Sequence, residues 1–263
     1  MTELQDARVL VTGASGGLGR AIARALRDEW SKLVLTARTM ELLQPLGDEL
    51  GAPVVAADLA RRSELDRLLS EAGDLDVVVA NAAVPASGEL DGWRQDQIDR
   101  ALEVNLASPI AMTRCLLPGF LERGSGHFVY ISSLAGRAAA KGAPLYSATK
   151  FGLRGFAGAL RCDLRGTGVG CSVVLPGFVR GAGMFADSGA TLPPGVGTVT
   201  PDAVAAAVVT AIRRDKAEIG VAPAALRAGA MIGSLAPGLS AAVQAKVGRR
   251  VARQIVEGQR EKR

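Results

Sequence analysis

Aromatic, thiol and imidazole side chains are scarce in this chain of 263 residues, which is 4% aromatic and contains three cysteines and one histidine. Cys115, Cys162 and Cys171 do not have the spacing of a zinc site or of a disulfide scaffold, so we expect no metal site and a reducing compartment. His127, the one histidine, begins a predicted strand. We therefore expect His127 to be structural.

A signal peptide and an excess of charge in the body of the chain are also lacking. Residues Met1–Arg8 contain acids and no apolar run, so we expect no signal peptide and a cytoplasmic location. The net charge is +5, but Gln244–Arg263 carries seven bases and two acids, and the rest of the chain carries 24 of each. Because the body has no excess positive charge, we expect no nucleic-acid partner.

Short apolar runs alternate with segments of helical periodicity along most of the chain. The predicted strands are Arg8–Thr12, Lys32–Thr36, Pro53–Ala57, Asp76–Ala80, His127–Ile131, Gly170–Leu175 and Glu218–Val221. The predicted helices are Leu18–Trp30, Met40–Leu50, Ser63–Ala72, Trp93–Leu121, Tyr146–Leu164 and Ala203–Arg213, and Pro109 and Pro118 are expected to bend or interrupt the fourth. This alternation predicts an α/β fold with a doubly wound, mostly parallel, Rossmann-like sheet of about seven strands. We expect a single domain over residues 1–223, with a C-terminal extension over 224–263.

A glycine-rich loop follows the first predicted strand and has the pattern T-G-x-x-x-G-x-G. Gly13, Gly17 and Gly19 lie at this strand-to-helix turn, where a backbone without side chains can approach a pyrophosphate at a helix N-terminus. Arg38, and no acid, follows the second strand. An arginine there can pair with a 2′-phosphate, so we expect NADP(H) to be preferred over NAD(H).

Tyr146 and Lys150 are four residues apart and share one face of a predicted helix. A neighbouring ammonium is expected to lower the pKa of the phenol and make it useful for general acid–base catalysis. Ser133 ends the fifth strand, where its hydroxyl could bind a substrate oxygen at the carboxyl edge of the sheet. Asn105, in the preceding helical region, could cap a helix break or hold a water.

Together these elements resemble the short-chain dehydrogenases/reductases that have the T-G-x-x-x-G-x-G and Y-x-x-x-K motifs, from about Arg8 to Val221. The matching elements are Thr12–Gly19, Asp58, Asn81-Ala82-Ala83, Asn105, Ser133, Tyr146-x-x-x-Lys150 and Pro176-Gly177. The resemblance implies that Tyr146 is the acid–base residue, that Lys150 lowers its pKa and binds the nicotinamide ribose, that Ser133 donates to the substrate oxygen, and that Asn105 holds a proton-relay water. The cofactor-binding residues that it implies are Gly13, Ser15, Gly17, Leu18, Gly19, Arg38, Asp58, Leu59, Asn81, Ala82, Ala83, Tyr146, Lys150, Pro176, Gly177 and Val179.

Two positions depart from the pattern of the family. Ala83 stands where the family usually has the glycine of N-A-G, and its methyl group is expected to narrow the approach to the cofactor. Gly181 replaces a threonine that often follows P-G, so one contact to the nicotinamide amide is expected to be missing. The equivalent of helix Tyr146–Leu164 commonly forms a subunit interface in the family, which together with its many small residues implies a homodimer or homotetramer.

The segments after Pro176-Gly177 are expected to shape the substrate site. Gly181–Val199, rich in glycine and proline, is typical of a lid. Ala224–Val243 is apolar but too interrupted for a membrane span, so we expect it to fold over the pocket or to pair subunits. Gln244–Arg263 is interpreted as a solvated, partly frayed helix, with a membrane-surface contact as the alternative. This extension favours a lipophilic ketone or secondary alcohol.

Three classes of function remain open at this stage. The first is an NADP(H)-dependent oxidoreductase that interconverts a carbonyl and an alcohol. The second is a catalytically silent nucleotide-binding sensor, and the third is a related epimerase or dehydratase. A panel of carbonyl compounds followed by NADPH absorbance would separate them, since neither the substrate nor the direction of reaction can be inferred from the motifs.

Overall fold

A seven-stranded parallel sheet forms the centre of the computed structural model, which describes residues 2–193, 196–238 and 249–259. The strands are β1 (Arg8–Thr12), β2 (Lys32–Ala37), β3 (Val54–Ala56), β4 (Val77–Ala80), β5 (Gly126–Ile131), β6 (Val169–Pro176) and β7 (Glu218–Val221). Their spatial order is β3-β2-β1-β4-β5-β6-β7. The order reverses between β1 and β4, and ligands bind such sheets beyond the carboxyl ends of the strands at the reversal. The predicted doubly wound sheet is confirmed.

Helices cover both faces of this sheet. They are α1 (Gly17–Asp28), α2 (Met40–Leu50), α3 (Arg62–Ala72), α4 (Gln95–Leu102), α5 (Ser108–Arg123), α6 (Pro144–Asp163), α7 (Gly183–Asp187), α8 (Pro201–Arg214), α9 (Ala224–Leu235) and α10 (Arg249–Gln259). Buried side chains of α1, α2 and α8 pack on one face of the sheet, and those of α3, α5 and α6 pack on the other.

Alternation along the strands explains how both faces become core. In β1, Val9 and Val11 point into the α1–α8 layer, whereas Leu10 between them points into the α3–α6 layer. All three are fully buried, as expected for a strand whose successive side chains project to opposite, equally covered faces. The continuous apolar run from which β1 was predicted therefore contributes buried side chains to both helix layers.

The helical region predicted over Trp93–Leu121 is divided by a π-helical segment, Glu103–Ala107, between α4 and α5. Pro109 lies in the first turn of α5. Backbone N–H groups in the first turn have no acceptor within the helix, so a proline there costs no hydrogen bond. Pro118 lies inside α5, which continues to Arg123, so of the bend or interruption expected there the interruption is not found. The irregularity lies instead around Asn105, next to the cavity described below.

Within the described ranges, one helical run, Gln95–Arg123, is long and apolar enough by composition to cross a membrane. This run comprises α4, the π-helical segment and α5. It packs against β5 and α6, and 39% of its most apolar stretch is buried inside the fold.

The imidazole of His127 lies inside the sheet and away from any ligand cavity. The residue is 1% exposed, and its Nε2 atom lies 2.8 Å from the hydroxyl of Ser172 on β6. Burial lowers the pKa of His127 to about 4, so the ring is neutral at physiological pH. A neutral ring between two strands has a packing role.

Candidate active site

A cavity of about 1320 Å³ opens at the carboxyl edge of the sheet, beside the reversal of strand order. The glycine-rich loop forms one end of it. The lid segment (Gly181–Val199), α9 and α10 form the other end. Every residue predicted from the sequence to bind the cofactor or to act in catalysis lines this cavity, with the exception of Asn105.

The glycines of the loop let α1 approach the end of β1 closely. Gly13 has a φ angle of +65°, and a Cβ atom there would lie 2.8 Å from the Cα atom of Ala82. A Cβ atom on Gly19 would collide with the carbonyl oxygen of Gly13. Helix α1 begins at Gly17 after Gly16, without a side-chain cap and without an acid in its first turn. Its free N–H groups therefore face the cavity as a site for an anion.

Thr12 and Asn81 connect the loops that follow β1 and β4. The Thr12 hydroxyl accepts hydrogen bonds of 3.0 Å from the backbone N–H groups of Asn81 and Ala82. The Asn81 side-chain amide donates to the carbonyl oxygen of Thr12 at 2.9 Å. Asn81 thus lines the cavity, as predicted, but its side chain serves to hold the two loops together. Thr12 was visible in the motif, but its role requires a neighbour 69 residues away.

Arg38 and Asp58 differ in the number of hydrogen-bond and ion-pair partners that their charged groups have within the protein. Arg38, at the end of β2, is exposed at the cavity, and its guanidinium has no hydrogen bond or ion pair with any residue in the described ranges. The Asp58 carboxylate receives hydrogen bonds of 3.0 and 3.1 Å from Arg100 and one of 3.1 Å from the N–H of Ala60. Arg38 is therefore free to meet a ligand anion, whereas the Asp58 carboxylate is held in place.

Ser133 and Tyr146 meet on the floor of the cavity. Ser133 follows β5, and its hydroxyl accepts a hydrogen bond of 3.1 Å from the N–H of Ala135. Tyr146 lies in the first turn of α6, and its N–H donates to the carbonyl oxygen of Ala86 at 3.1 Å. The Ser133 hydroxyl also donates to the carbonyl oxygen of Pro176 at 3.4 Å. Ser133 and Tyr146 line the same cavity, and the Ser133 hydroxyl acts to lower the pKa of Tyr146.

Lys150 lies one turn beyond Tyr146 on α6 and is 3% exposed. Its Nζ atom donates to the carbonyl oxygen of Ile131 at 2.9 Å and lies 5.7 Å from the centre of the Tyr146 ring. Burial lowers the pKa of Lys150 to about 8. Lys150 thus lies over the face of the phenol ring, and the ammonium is still its predominant form at neutral pH.

The pKa of Tyr146 moves in the opposite direction from the predicted one. Burial raises it, because removal of the phenol from water penalises the phenolate, and the effect of the Ser133 hydroxyl opposes this rise. The net lowering that was predicted is therefore not found for the protein's own groups, and the role of Lys150 stays a prediction. The phenol keeps its proton at neutral pH.

Asn105 lies in the π-helical segment and is 1% exposed, behind the cavity wall. Its side-chain oxygen accepts a hydrogen bond of 2.7 Å from the N–H of Val84, and its amide donates to the carbonyl oxygen of Val84 at 3.0 Å. Both ends of the carboxamide thus bond to the backbone of Val84, and Asn105 positions the loop after β4. That Asn105 also holds a proton-relay water stays a prediction.

The two departures from the family pattern have different surroundings. Gly181 has a φ angle of +75°, and no atom lies within 4 Å of the Cβ position. A threonine would be strained there by the backbone and not by crowding. Ala83 lines the cavity beside Asn81 and Ala82, so its methyl group belongs to the ligand-facing wall.

The other end of the cavity is mostly apolar. The residues that form its wall come from the loop before α6, the loop after β6, the lid segment, α9 and α10, and include Ala138, Ala140, Phe178, Met184, Phe185, Leu192, Leu226, Ala230, Ala252 and Ile255. The rings of Phe178 and Phe185 lie 4.9 Å apart. This surface offers few polar partners to a ligand.

Helix α10 packs on the lid segment. The Gln254 side-chain oxygen accepts a hydrogen bond of 3.1 Å from the N–H of Thr191, and the Gln259 amide donates to the carbonyl oxygen of Met184 at 3.2 Å. The interpretation of the basic segment as solvated and frayed is therefore wrong for Arg249–Gln259, since these contacts hold it against the cavity. The rest of Gln244–Arg263, like the end of Ala224–Val243, lies outside the described residues.

Comparison with known proteins agrees with this geometry. The family described as "short chain dehydrogenase" matches residues 7–192. The ketoacyl reductase HetN of Nostoc sp. is 38% identical over 228 residues, which are 83% of this chain and 79% of that protein. A short-chain dehydrogenase from Sphingobium yanoikuyae in complex with NADPH is 27% identical and covers 89% of this chain and 95% of its own, with a TM-score of 0.74.

A serine dehydrogenase complexed with NADP⁺ is 30% identical and has a TM-score of 0.73 over 82% of this chain and 94% of its own. The family match spans the glycine-rich loop, Ser133, Tyr146 and Lys150, which line one cavity here. Members of this family bind NAD(P) and act on CH–OH and C=O groups. The chain belongs to the short-chain dehydrogenase/reductase family of oxidoreductases.

Proposed function

We propose that the protein transfers a hydride between NADP(H) and a lipophilic carbonyl compound or secondary alcohol, with Tyr146 as the general acid and base. The observation that carries this proposal is that Tyr146, Ser133 and the buried Lys150 line one cavity together, with the Lys150 Nζ atom 5.7 Å from the centre of the Tyr146 ring. This group lies in the same cavity as the glycine-rich loop. The same cavity thus contains a surface that fits a nucleotide cofactor and a proton donor, Tyr146.

The residues at the nucleotide end fit a dinucleotide. Gly13 and Gly19 leave a backbone surface that a Cβ atom would disrupt, and the uncapped N-terminus of α1 offers N–H groups to a pyrophosphate. The unpaired guanidinium of Arg38 matches the extra charge of a 2′-phosphate. The NADP(H) complexes of the Sphingobium and serine dehydrogenases support the same preference.

The chemistry follows from the protonation states of the chain's own groups. The reduced nicotinamide, when bound, supplies the hydride. Ser133 orients the carbonyl oxygen by hydrogen bonding, and Tyr146 donates its proton to that oxygen as negative charge develops. Burial keeps Tyr146 protonated, which is the form that reduction requires. Lys150 stabilises the phenolate left behind, and oxidation of an alcohol is the reverse.

The apolar end of the cavity supports a substrate with an extended hydrocarbon part. Burial of such a part removes apolar surface from water and favours binding by about 25 cal/mol for each Å². The Nostoc relative is named a ketoacyl reductase, so 3-oxoacyl compounds belong in the panel of test substrates beside simple ketones. A sensor function has no support from a cavity in which the phenol, hydroxyl and lysine are all in place.

The test is a panel of aliphatic ketones, aromatic ketones and 3-oxoacyl thioesters, followed by the absorbance of NADPH and, separately, of NADH. We expect turnover of lipophilic members and a higher kcat/KM with NADPH. A preference for NADH would contradict the cofactor assignment. Binding of NADPH without turnover of any member would favour the sensor, and conversion of a substrate without net consumption of NADPH would favour the epimerase or dehydratase.

We also propose a cytoplasmic homodimer or homotetramer formed through the outer face of α6. Gly155 and Gly158 have no atom within 4 Å of their Cβ positions, and Phe151 is 40% exposed on the same helix. Such a face lets a second helix approach closely. Sedimentation velocity of Gly155→Gln is expected to show a smaller species than the parent protein, and an unchanged assembly would refute this interface.

A further inference from the structure

Helix α9 exposes its large apolar side chains and buries small residues. Met231, Ile232 and Leu235 are 55%, 56% and 82% exposed, whereas Ala230 and Gly233 on the same helix are buried. A helix on the surface of a globular domain normally turns its large apolar side chains toward the core. Adjoining apolar side chains that face outward mark a surface that binds another molecule.

The chain around α9 contains bases but no acids. No aspartate or glutamate occurs between Glu218 and Glu257. The bases in the same stretch are Arg227, Lys246, Arg249, Arg250 and Arg253. Arg227 on α9 and Arg253 on α10 are exposed, and both helices line the same end of the cavity. This end of the molecule thus combines exposed apolar side chains with positive charge.

A bilayer that contains anionic lipids complements both properties. Helix α9 has 12 residues and is therefore about 18 Å long, too short to cross a hydrocarbon core of about 30 Å. Such a helix can lie along the membrane surface, with its apolar side chains among the acyl chains and its arginines at the phosphates.

A second copy of the chain fits the outer face of α9 less well. A two-fold contact through this face would bring the same segment of both copies together. Arg227 would then face a surface without an acid that could pair with it, because the whole stretch lacks acids. The charge of the segment therefore favours a lipid surface over self-association.

We propose that α9, together with the basic segment Gln244–Arg263, docks the protein on an anionic lipid surface. Apolar burial and charge attraction act together in such binding. Ile232 is exposed and also lines the cavity, so the docked face lies beside the apolar end of the cavity. Lipid binding goes beyond the proposed hydride transfer and does not depend on it.

The experiment measures co-sedimentation of the full chain with lipid vesicles, without substrate or cofactor. One set of vesicles is phosphatidylcholine alone, and the other contains about one third phosphatidylserine. The parent protein is compared with Met231→Gln/Leu235→Gln, whose two positions do not line the cavity. The control is Leu90→Gln/Leu121→Gln, because these leucines are 59% and 43% exposed on other elements of the fold.

We expect the parent protein to bind the anionic vesicles at least about tenfold more tightly than the neutral ones, and more weakly as salt is raised. Met231→Gln/Leu235→Gln should lose about tenfold or more of this affinity, because less apolar surface is buried, and the control should keep it. The thermal midpoint of the double variant should match that of the parent, since the replaced side chains are exposed.

Three results would overturn the proposal. The first is that the parent protein binds neither kind of vesicle, or binds both equally. The second is that Met231→Gln/Leu235→Gln binds the anionic vesicles as tightly as the parent. The third is that, without lipid, this variant sediments as a smaller species than the parent and the control, which would make α9 a subunit contact. Vesicle binding is measured without turnover, so failure of ketone reduction would be a separate result.

Discussion

The two ends of the cavity are built in different ways. At the nucleotide end, loops after β1 and β4 are joined by short hydrogen bonds of Thr12 and Asn81, and glycines bring backbone against backbone. At the substrate end, the lid segment, α9 and α10 meet through apolar contacts and a few single hydrogen bonds. At the nucleotide end, hydrogen bonds and close backbone packing hold the loops in place, whereas at the substrate end side chains determine the shape of the cavity. Substitutions should therefore affect cofactor use and stability at one end, and substrate choice at the other.

The reacting group lies between the two ends, and its removal should have the largest effect. Tyr146→Phe is expected to lower kcat by about 10³-fold or more, because the proton donor is lost. The affinity for NADPH, measured by its fluorescence, should remain nearly unchanged. Tyr130→Phe is the matched control, since the Tyr130 side chain is buried between the sheet and helices α5 and α6, where its hydroxyl bonds to Thr113. Full activity of Tyr146→Phe would refute the mechanism.

Arg38 tests whether the nucleotide end selects the cofactor. Arg38→Ala should lower kcat/KM for NADPH by about tenfold or more, the value of one charge-assisted hydrogen bond, and should leave kcat/KM for NADH unchanged. Arg61→Ala, at an exposed arginine paired with Glu64, is the control and should change neither. An equal loss with both cofactors would mean that Arg38 does not read the 2′-phosphate.

The protonation state of Lys150 gives a pH dependence. Burial lowers its pKa to about 8, so the ammonium is present below this pH and is lost as the pH rises through it. With NADPH as the varied substrate, kcat/KM reports the ionisations of the free enzyme. It should fall by about tenfold for each pH unit above about 8. A flat profile up to pH 10 would show that the ammonium is not required.

Backbone packing at the nucleotide end can be tested through stability. A Cβ atom on Gly19 would lie 2.8 Å from the Cα atom of Ala14, whereas one on Gly16 would meet its nearest neighbour at 3.5 Å. Gly19→Ala is expected to lower the free energy of unfolding by about 1–3 kcal/mol, as overpacking does, and Gly16→Ala should not. Thermal denaturation of both variants checks this. Equal midpoints would show that the loop relaxes without cost.

Loss of α10 should have the smallest effect on the fold and an effect limited to one end of the cavity. Deletion of residues 249–263 is expected to lower kcat/KM for a long-chain ketone by roughly tenfold, because apolar wall is removed. The affinity for NADPH and the activity toward a short ketone should stay near those of the parent protein. A parallel loss of NADPH affinity would mean that the two ends are not independent.

Local patterns allowed the fold to be predicted closely. The bounds predicted for β1 and β7 are those observed. For β1 the reason is that a strand covered on both faces is a continuous apolar run; β7 is a half-buried edge strand. Pro109 marked the region where the helix before β5 is divided, but the π-helical segment itself contains Asn105, whose partner Val84 lies 21 residues away. Nothing near Asn105 in the chain announces that partner.

The sequence by itself determined the order of strands and helices, the glycine-rich loop and the spacing of Tyr146 and Lys150. These depend on periodicity, on missing side chains and on one turn of helix, which are all local properties. The tertiary structure decided the direction of the Tyr146 pKa shift, the use of Asn105 as a loop support and the docking of α10. Each of these depends on groups that are distant in the chain, such as Gln259 and Met184, which lie 75 residues apart. Desolvation and hydrogen-bond pairing depend on what surrounds a group in space, so only the folded chain could settle them.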